Sequence, residues 1–295
     1  MKDRPIGMFD SGVGGLTVAR SVIDRLPGEH LIYLGDGARG PYGPRDMEKV
    51  RSFSREIIDY LLGFGVKLVV IACNSATAAA LEEAQRGYEI PIVGVISPGV
   101  RAAVRRSRRL QIGVIGTKCT IASGSYERAL KRVEPRATIF SRACPEFVEF
   151  VERGEVTGDN ITEIALGYLE PMKEAGIDTL IMGCTHYPLL EGLLHEVVGP
   201  EVALISSADE TAAEVQDILE RLGWLRENGS SGKHFFLTTG DVGKTVELGR
   251  MFLGPEVRDV IRVGLGIDEH PDLDFESPFP SKGEVVQTWG DSGEL

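Results

Sequence analysis

The sequence predicts an α/β fold of two similar lobes, each a mainly parallel sheet flanked by helices. Three observations lead there. Short, nearly continuous apolar runs alternate with amphipathic stretches, the pattern of parallel strands covered on both faces. The alternation restarts near Pro98. Finally, "LVVIACNSATAAAL" and "TLIMGCTHYPLL" echo each other weakly, and "IGMFDSGVGGLTV" and "IGVIGTKCTIAS" echo in the same way; a duplicated unit would explain this, and so would coincidence, since strand-loop-helix repeats look alike. With 295 residues the chain is long enough for two such lobes.

In chain order, "PIGMFD" reads as a strand, followed by a glycine loop and the helix "GLTVARSVIDRL". "HLIYLGD" is the next strand. "DMEKVRSFSREIIDYLLGFG" is a long helix, with Val50, Phe53, Ile57, Tyr60, Leu61 and Phe64 recurring at three- and four-residue steps. Strand "VKLVVIAC", helix "SATAAALEEAQRGY" and strand "IPIVGVIS" complete this half. After Pro98 come strand "QIGVIGT", helix "ASGSYERALKRV" and strand "ATIFSRAC". Helix "TEIALGYLEPMKEAG", strand "DTLIMGC", helix "PLLEGLLHEVV" and strand "VALISS" follow. Beyond them lie helix "ADETAAEVQDILERLGWL", strand "HFFLTTGD" and helix "GKTVELGRMFLG". The C-terminal ends of the parallel strands are where a site is expected.

The composition, 42% hydrophobic and 26% charged, is that of an ordinary globular protein. No apolar run is long enough to span a membrane, and the first strand begins too early for a signal peptide. A net charge of −12 argues against wrapping a nucleic acid. The basic run "RAAVRRSRR" (101–109) reads as a solvated helix face. The last 29 residues hold eight carboxylates and one lysine, so this Pro-rich tail is expected to be flexible.

Cys73, Cys119, Cys144 and Cys184 are far apart, with no zinc-type spacing. In a cytoplasmic chain they would stay reduced, leaving structural or catalytic roles. Cys73 and Cys184 occupy matched places, each just past an apolar strand and just before a helix. A helix N-terminus favours the thiolate. Two thiols facing one another suit one reaction in particular: one takes a proton from carbon and the other returns a proton on the opposite face, inverting the centre without a cofactor. Asp10 and His186 are candidates to tune them. For both, plain structural roles compete, an Asx-turn for Asp10 and a strand-end hydrogen bond for His186. "DSGVGGL" lacks both the G-x-G-x-x-G spacing and a Walker lysine, so dinucleotide binding is a weak reading. Its backbone amides could hold a carboxylate instead.

"FDSGVGGLTV", "YLGDGARGPYG", "VIACNSATA", "IPIVGVISPG", "GVIGTKCTI", "FVERGE" and "MGCTHYPLL" together resemble the glutamate racemase family, in order and spacing, from residue 5 to about 266. The resemblance implies interconversion of L- and D-glutamate for peptidoglycan synthesis, without pyridoxal phosphate or metal. Cys73 would act on the D-enantiomer and Cys184 on the L-enantiomer. Asp10 would assist Cys73, and His186 with Glu152 would assist Cys184. Substrate contacts would come from Asp10, Ser11, Pro41, Tyr42, Gly43, Asn74, Ser75, Thr117, Thr120, Thr185 and His186.

The resemblance also implies a discontinuous plan. Residues 1–97 and 207–266 would form lobe one, 98–206 lobe two, and 267–295 the acidic tail, with the active site in the cleft between lobes and a homodimer as the assembly. Ser75 stands where the family usually has Thr, and Ser97 where it commonly has Glu. Two alternatives stay open: an aspartate or hydantoin racemase of the same superfamily, or a racemase-fold protein with a regulatory binding role in which the tail takes part.

Overall fold

The computed structural model describes residues 1–226 and 231–265, together with Pro271, Leu273 and Phe275. The first half runs β1 (Ile6–Asp10), α1 (Leu16–Arg25), β2 (Leu31–Gly35), α2 (Met47–Gly63), β3 (Leu68–Ile71), α3 (Asn74–Gly87) and β4 (Ile92–Gly94). Helix α4 (Ile96–Arg106) then crosses to β5 (Gln111–Gly116), α5 (Lys118–Ala122), α6 (Ser125–Val133), β6 (Thr138–Ala143), α7 (Glu146–Glu152), α8 (Asp159–Glu174) and β7 (Thr179–Gly183). A 3-10 turn, Tyr187–Leu190, precedes α9 (Glu191–Val198) and β8 (Ala203–Ile205). Helix α10 (Ala208–Leu222) returns to β9 (His234–Thr238), α11 (Val242–Phe252) and β10 (Val260–Arg262).

The strands form two sheets, ordered β10-β9-β2-β1-β3-β4 and β6-β5-β7-β8, and all their pairings are parallel. The α/β class with two helix-flanked parallel sheets is thus the one expected. Every residue of β1, β2, β3 and β7 is buried, because helices cover both faces. Each large apolar side chain so buried contributes about 1.5–3 kcal/mol. This rigid platform fixes the strand ends at Asp10, Ile71, Gly116 and Gly183.

Several elements differ from the sequence reading. The strand expected over "IPIVGVIS" stops at Gly94, and α4 begins at Ile96 with Pro98 in its first turn, where a missing N–H costs nothing. Ser97 therefore lies inside a helix. The helix expected from Ala122 splits into α5 and α6 at Gly124, whose φ of 64° is left-handed. Helix α7 and strand β10 had no counterpart in the reading. The seven residues of α7 are too few to show a period, yet Phe147, Val148, Phe150 and Val151 bury one face.

The basic run on α4 is not simply solvated. Arg101 and Arg105 pair with Glu214 and Glu210 at 2.7 and 2.6 Å, joining the two crossing helices α4 and α10. The acidic tail falls outside the described residues apart from three positions. Of these, Phe275 packs edge-on against Phe235, with ring centroids 4.8 Å apart.

Candidate active site

The end of β1 places Asp10 in the interior, fully buried. Its carboxylate accepts the Gly12 N–H at 3.0 Å and the Thr185 hydroxyl at 3.3 Å, the latter arriving from the other sheet. Burial raises its pKa, against the opposing charge of His186. Strand β3 delivers Cys73 as the N-cap of α3, 6% exposed. Its thiol donates to Ser11 Oγ at 3.8 Å. The expectation that the helix N-terminus depresses this thiol is corrected here. Burial pushes the Cys73 pKa well up, and the Asp10 charge adds to it, outweighing the Ala76 N–H and the Ser11 hydroxyl.

Strand β7 delivers Cys184, Thr185 and His186, all buried. Cys184 precedes a 3-10 turn rather than an α-helix, and its carbonyl accepts the Tyr187 N–H at 3.2 Å. A full helix N-terminus is therefore missing at this thiol, and His186 stands in that place, with Nδ1 3.8 Å from Cys184 Sγ. On the far side of the ring, Nε2 is 3.5 Å from Glu152 Oε1, an ion pair at the outer limit of a hydrogen bond. Burial by itself would lower the His186 pKa, but Cys184, Glu152 and the Asp10 charge outweigh it and push it up to about 10. The same contact with His186 holds Glu152 down at about 2, supported by Lys244 Nζ at 3.2 Å.

Tyr187 and Pro188 belong to the scaffold, with the Tyr187 hydroxyl donating to the Cys144 carbonyl at 2.8 Å.

The two thiol loops meet closely. A Cβ on Gly14 would lie 2.4 Å from Thr185 Oγ1 and 2.6 Å from His186 Nδ1, so the glycine loop after β1 packs directly on the β7 loop. That close approach, rather than phosphate binding, accounts for Gly14. Cys73 and Cys184 lie close enough to interact electrostatically. Asp10, Cys73, Cys184 and His186 thus form one buried cluster contributed by both sheets.

Around it lie neutral polar groups. Ser75 Oγ is 2.9 Å from Thr117 Oγ1 and 3.2 Å from Thr120 Oγ1, and the two threonines are 3.1 Å apart, which closes a ring of three buried hydroxyls. Ser75, with the hydroxyl of Thr but not its methyl, supplies the contact from the first sheet. Asn74 Oδ1 accepts from the Tyr126 hydroxyl at 2.7 Å. Gly43 accepts the Cys119 N–H at 3.0 Å and abuts Thr117. Tyr42 is different: its side chain is fully buried and its hydroxyl donates to Asp36, so only its backbone remains for a ligand. Pro41, after a cis peptide bond, lines a cavity of about 120 Å³ together with Ser11, Gly12, Glu152 and Lys244. A larger groove of about 490 Å³ runs between α3 and α6, past Ser97, and contains neither Cys73 nor Cys184.

Residues 14–215 match the family model described as Asp/Glu/Hydantoin racemase. The chain belongs to this racemase family. It is 51% identical over 272 residues to a glutamate racemase of Beutenbergia cavernae, an alignment covering 88% of this chain and 93% of that protein. Against a Bacillus cereus glutamate racemase it is 48% identical over 263 residues, covering 89% and 98%. A solved glutamate racemase isoform from Bacillus anthracis superposes with a TM-score of 0.86 at 44% identity, covering 90% of this chain and 99% of that one.

Four polar residues of this racemase-family site were not singled out from the sequence. Asp36 anchors the loop to Gly43 by accepting from Arg39 Nε and Thr239 Oγ1, each at 2.7 Å, and from Tyr42. A signal for it existed, since Asp36 follows an apolar strand just as Asp10 ends one. Tyr33 supports the glycine loop by donating to the Gly12 carbonyl at 2.9 Å. Tyr126 and Lys244 reach Asn74 and Glu152 from elements remote in sequence, and no local pattern marks either.

Proposed function

We propose that this protein is a glutamate racemase that interconverts L- and D-glutamate by two-thiol proton transfer at the α-carbon. The observation that carries the reading is the convergence of Cys73 and Cys184, from different sheets, on one buried cluster with Asp10 and His186. The names of the similar proteins support glutamate as the substrate.

On this reading the Cys184 sulfur takes the α-proton of L-glutamate: the C–H bond breaks, an S–H bond forms, and the electron pair stays on carbon. The protonated His186 imidazole, 3.8 Å from this sulfur, stands where it can relay that proton. Cys73, held as a thiol, then delivers its proton to the opposite face and gives D-glutamate. The reverse reaction exchanges the roles. The substrate ammonium offsets the negative charge that Asp10 adds near Cys73. Ser11, Asn74, Ser75, Thr117, Thr120 and Thr185, with backbone groups of Pro41, Tyr42 and Gly43, would hold the carboxylates through neutral donors. This suits an amino acid with two carboxylates bound among few fixed cations. Glu152 keeps His186 charged. No cofactor or metal enters any of these steps.

The same reading divides the chain into lobe one, 1–97 with 207–266, and lobe two, 98–206, and makes it a cytoplasmic homodimer that supplies D-glutamate for peptidoglycan. Among the described residues, no helix is long and apolar enough to cross a membrane. The deciding experiment is a circular-dichroism assay on L- and D-glutamate with aspartate as control. Racemisation of glutamate and not of aspartate is expected. Turnover of aspartate alone would overturn the substrate assignment, and turnover of neither would overturn the activity.

A further inference from the structure

We infer that Tyr126 is a positioning residue, whose hydroxyl locks the Asn74 carboxamide with Nδ2 turned to donate to a carboxylate of the substrate. The inference rests on the racemase reading above and assigns a role to a side chain outside its chemistry.

An asparagine amide presents an acceptor and a donor of nearly equal shape, so only its neighbours decide which one faces a ligand. Tyr126 is 2% exposed, and its hydroxyl is 2.7 Å from Asn74 Oδ1. A buried hydroxyl must donate its proton somewhere. With Oδ1 toward the phenol, that proton is satisfied. With the amide reversed, two donors would face each other across the same contact. The second observation is what remains: Asn74 Nδ2 is buried and has no hydrogen-bond partner among the described residues. Asn74 follows Cys73 directly and precedes Ser75 of the hydroxyl ring, so this unused donor sits at the N-terminus of α3, next in the chain to the reacting sulfur. A reversed amide would present an oxygen to the carboxylate instead.

The phenol is itself well held. It rises from the first turn of α6 and crosses to α3, and its ring edge lies against Gly183, where a Cβ would come within 3.0 Å of Tyr126 Cε2. Burial, helped by the charge of Cys184, keeps the phenol protonated. It therefore remains a donor throughout the working pH range.

The test is Tyr126→Phe, read by steady-state kinetics in both directions and by calorimetric binding of D-glutamate. Losing one orienting hydrogen bond of typical strength should raise KM and Kd about tenfold. The expected kcat change is under about threefold, and the pH profile should not move. In an Asn74→Ala background, Tyr126→Phe should add no further loss. Unchanged KM and Kd, or a full further loss in that background, would overturn the inference. Asn74→Asp keeps the acceptor for Tyr126 and removes the donor, so it stays informative even if Tyr126→Phe folds poorly. It should lose D-glutamate binding, and wild-type affinity there would also overturn the inference. A wild-type protein that neither binds nor racemises glutamate would sink the racemase reading and this inference with it. Wild-type racemisation with an indifferent Tyr126→Phe would sink only the latter.

Discussion

Replacing Glu152 by glutamine isolates the electrostatic support of Cys184. The carboxylate and the His186 ring are 3.5 Å apart. A unit charge pair at that distance is worth about 5 kcal/mol at an effective dielectric constant near 20. Two features reduce it: the Glu152 side chain is 27% exposed, and Lys244 competes for its other oxygen at 3.2 Å. An interaction of about 1.5–3 kcal/mol remains, equivalent to roughly 1–2 pKa units. His186, held at about 10, should then titrate at roughly 8–9 in Glu152→Gln.

The signs follow from linkage. The His186 pKa is raised on folding, so its contribution is complete below about 6.5 and is lost as pH rises through about 10. Glu152 is depressed, so its contribution is present above about 4.5 and is lost as pH falls through about 2. At pH 7 the Glu152 contribution is fully present and most of the His186 contribution is, and the His186–Glu152 contact is the part the two share. Glu152→Gln should therefore lower stability by about 1.5–3 kcal/mol at pH 7. The loss should shrink towards pH 2. Imidazole NMR, with the His186 signal assigned by its disappearance in His186→Asn, reads the titration directly. The alkaline limb of kcat should move down by the same amount, and kcat should fall about 10- to 100-fold. An unmoved His186 titration would refute the reasoning, whatever the activity. L- and D-glutamate have equal free energy in water, so kcat/KM must fall by one factor in both directions. Only kcat and KM taken separately can become asymmetric.

Four further outcomes are expected. Cys73→Ser and Cys184→Ser should each lower racemisation by at least about 10³-fold, the upper range for loss of a general acid–base group. Solvent deuterium should enter the α-carbon during wild-type turnover in D₂O, and full activity in either variant would end the two-thiol reading. Gly14→Ala puts a methyl 2.4 Å from Thr185 Oγ1 and 2.6 Å from His186 Nδ1, so kcat should drop about 100-fold while stability falls by only about 1–3 kcal/mol. Wild-type kcat would show that the two loops are not held in register by this contact. Lys67, fully buried, is paired with Glu29 and donates to the Trp224 carbonyl at 2.9 Å. Lys67→Met should cost about 3–5 kcal/mol in urea denaturation by stranding Glu29, and adding Glu29→Gln should restore part of it. A single variant as stable as wild type would refute that account.

The sequence made the strand ends legible because parallel strands read as short apolar runs, and a polar or reactive residue after one stands out. Asp10, Cys73 and Cys184 were visible in that way. Glu152 was not: it closes a seven-residue helix with no measurable period, and its partner Lys244 lies 92 positions away. Tyr42 stood in a motif and suggested a ligand contact, but its phenol goes to Asp36, because a motif records which residues occur and not which way each side chain turns. The helix-terminus argument for Cys73 failed for a related reason. A helix end stabilises a thiolate by an amount that depends on solvent access, and burial is invisible until both sheets are assembled.

The two sulfurs are supported unequally, and this constrains the reaction. Cys184 has a protonated imidazole at its side. Burial, with the Asp10 charge beside it, favours the neutral thiol of Cys73. In the ligand-free protein Cys73 is therefore the proton donor of the proposed L-to-D direction. Each L-to-D turnover leaves the protons exchanged, with Cys184 as thiol and Cys73 as thiolate. That second form, which attacks D-glutamate on the proposed mechanism, carries the Cys73 thiolate that burial disfavours. Equal kcat/KM in the two directions is nevertheless required. A form that is scarce in the free protein must then react more efficiently than an abundant one, by the ratio in which it is scarce. The stabilisation missing at Cys73 in the free protein thus has to come from the bound amino acid, and its ammonium beside Asp10 is the group of the right charge to supply it.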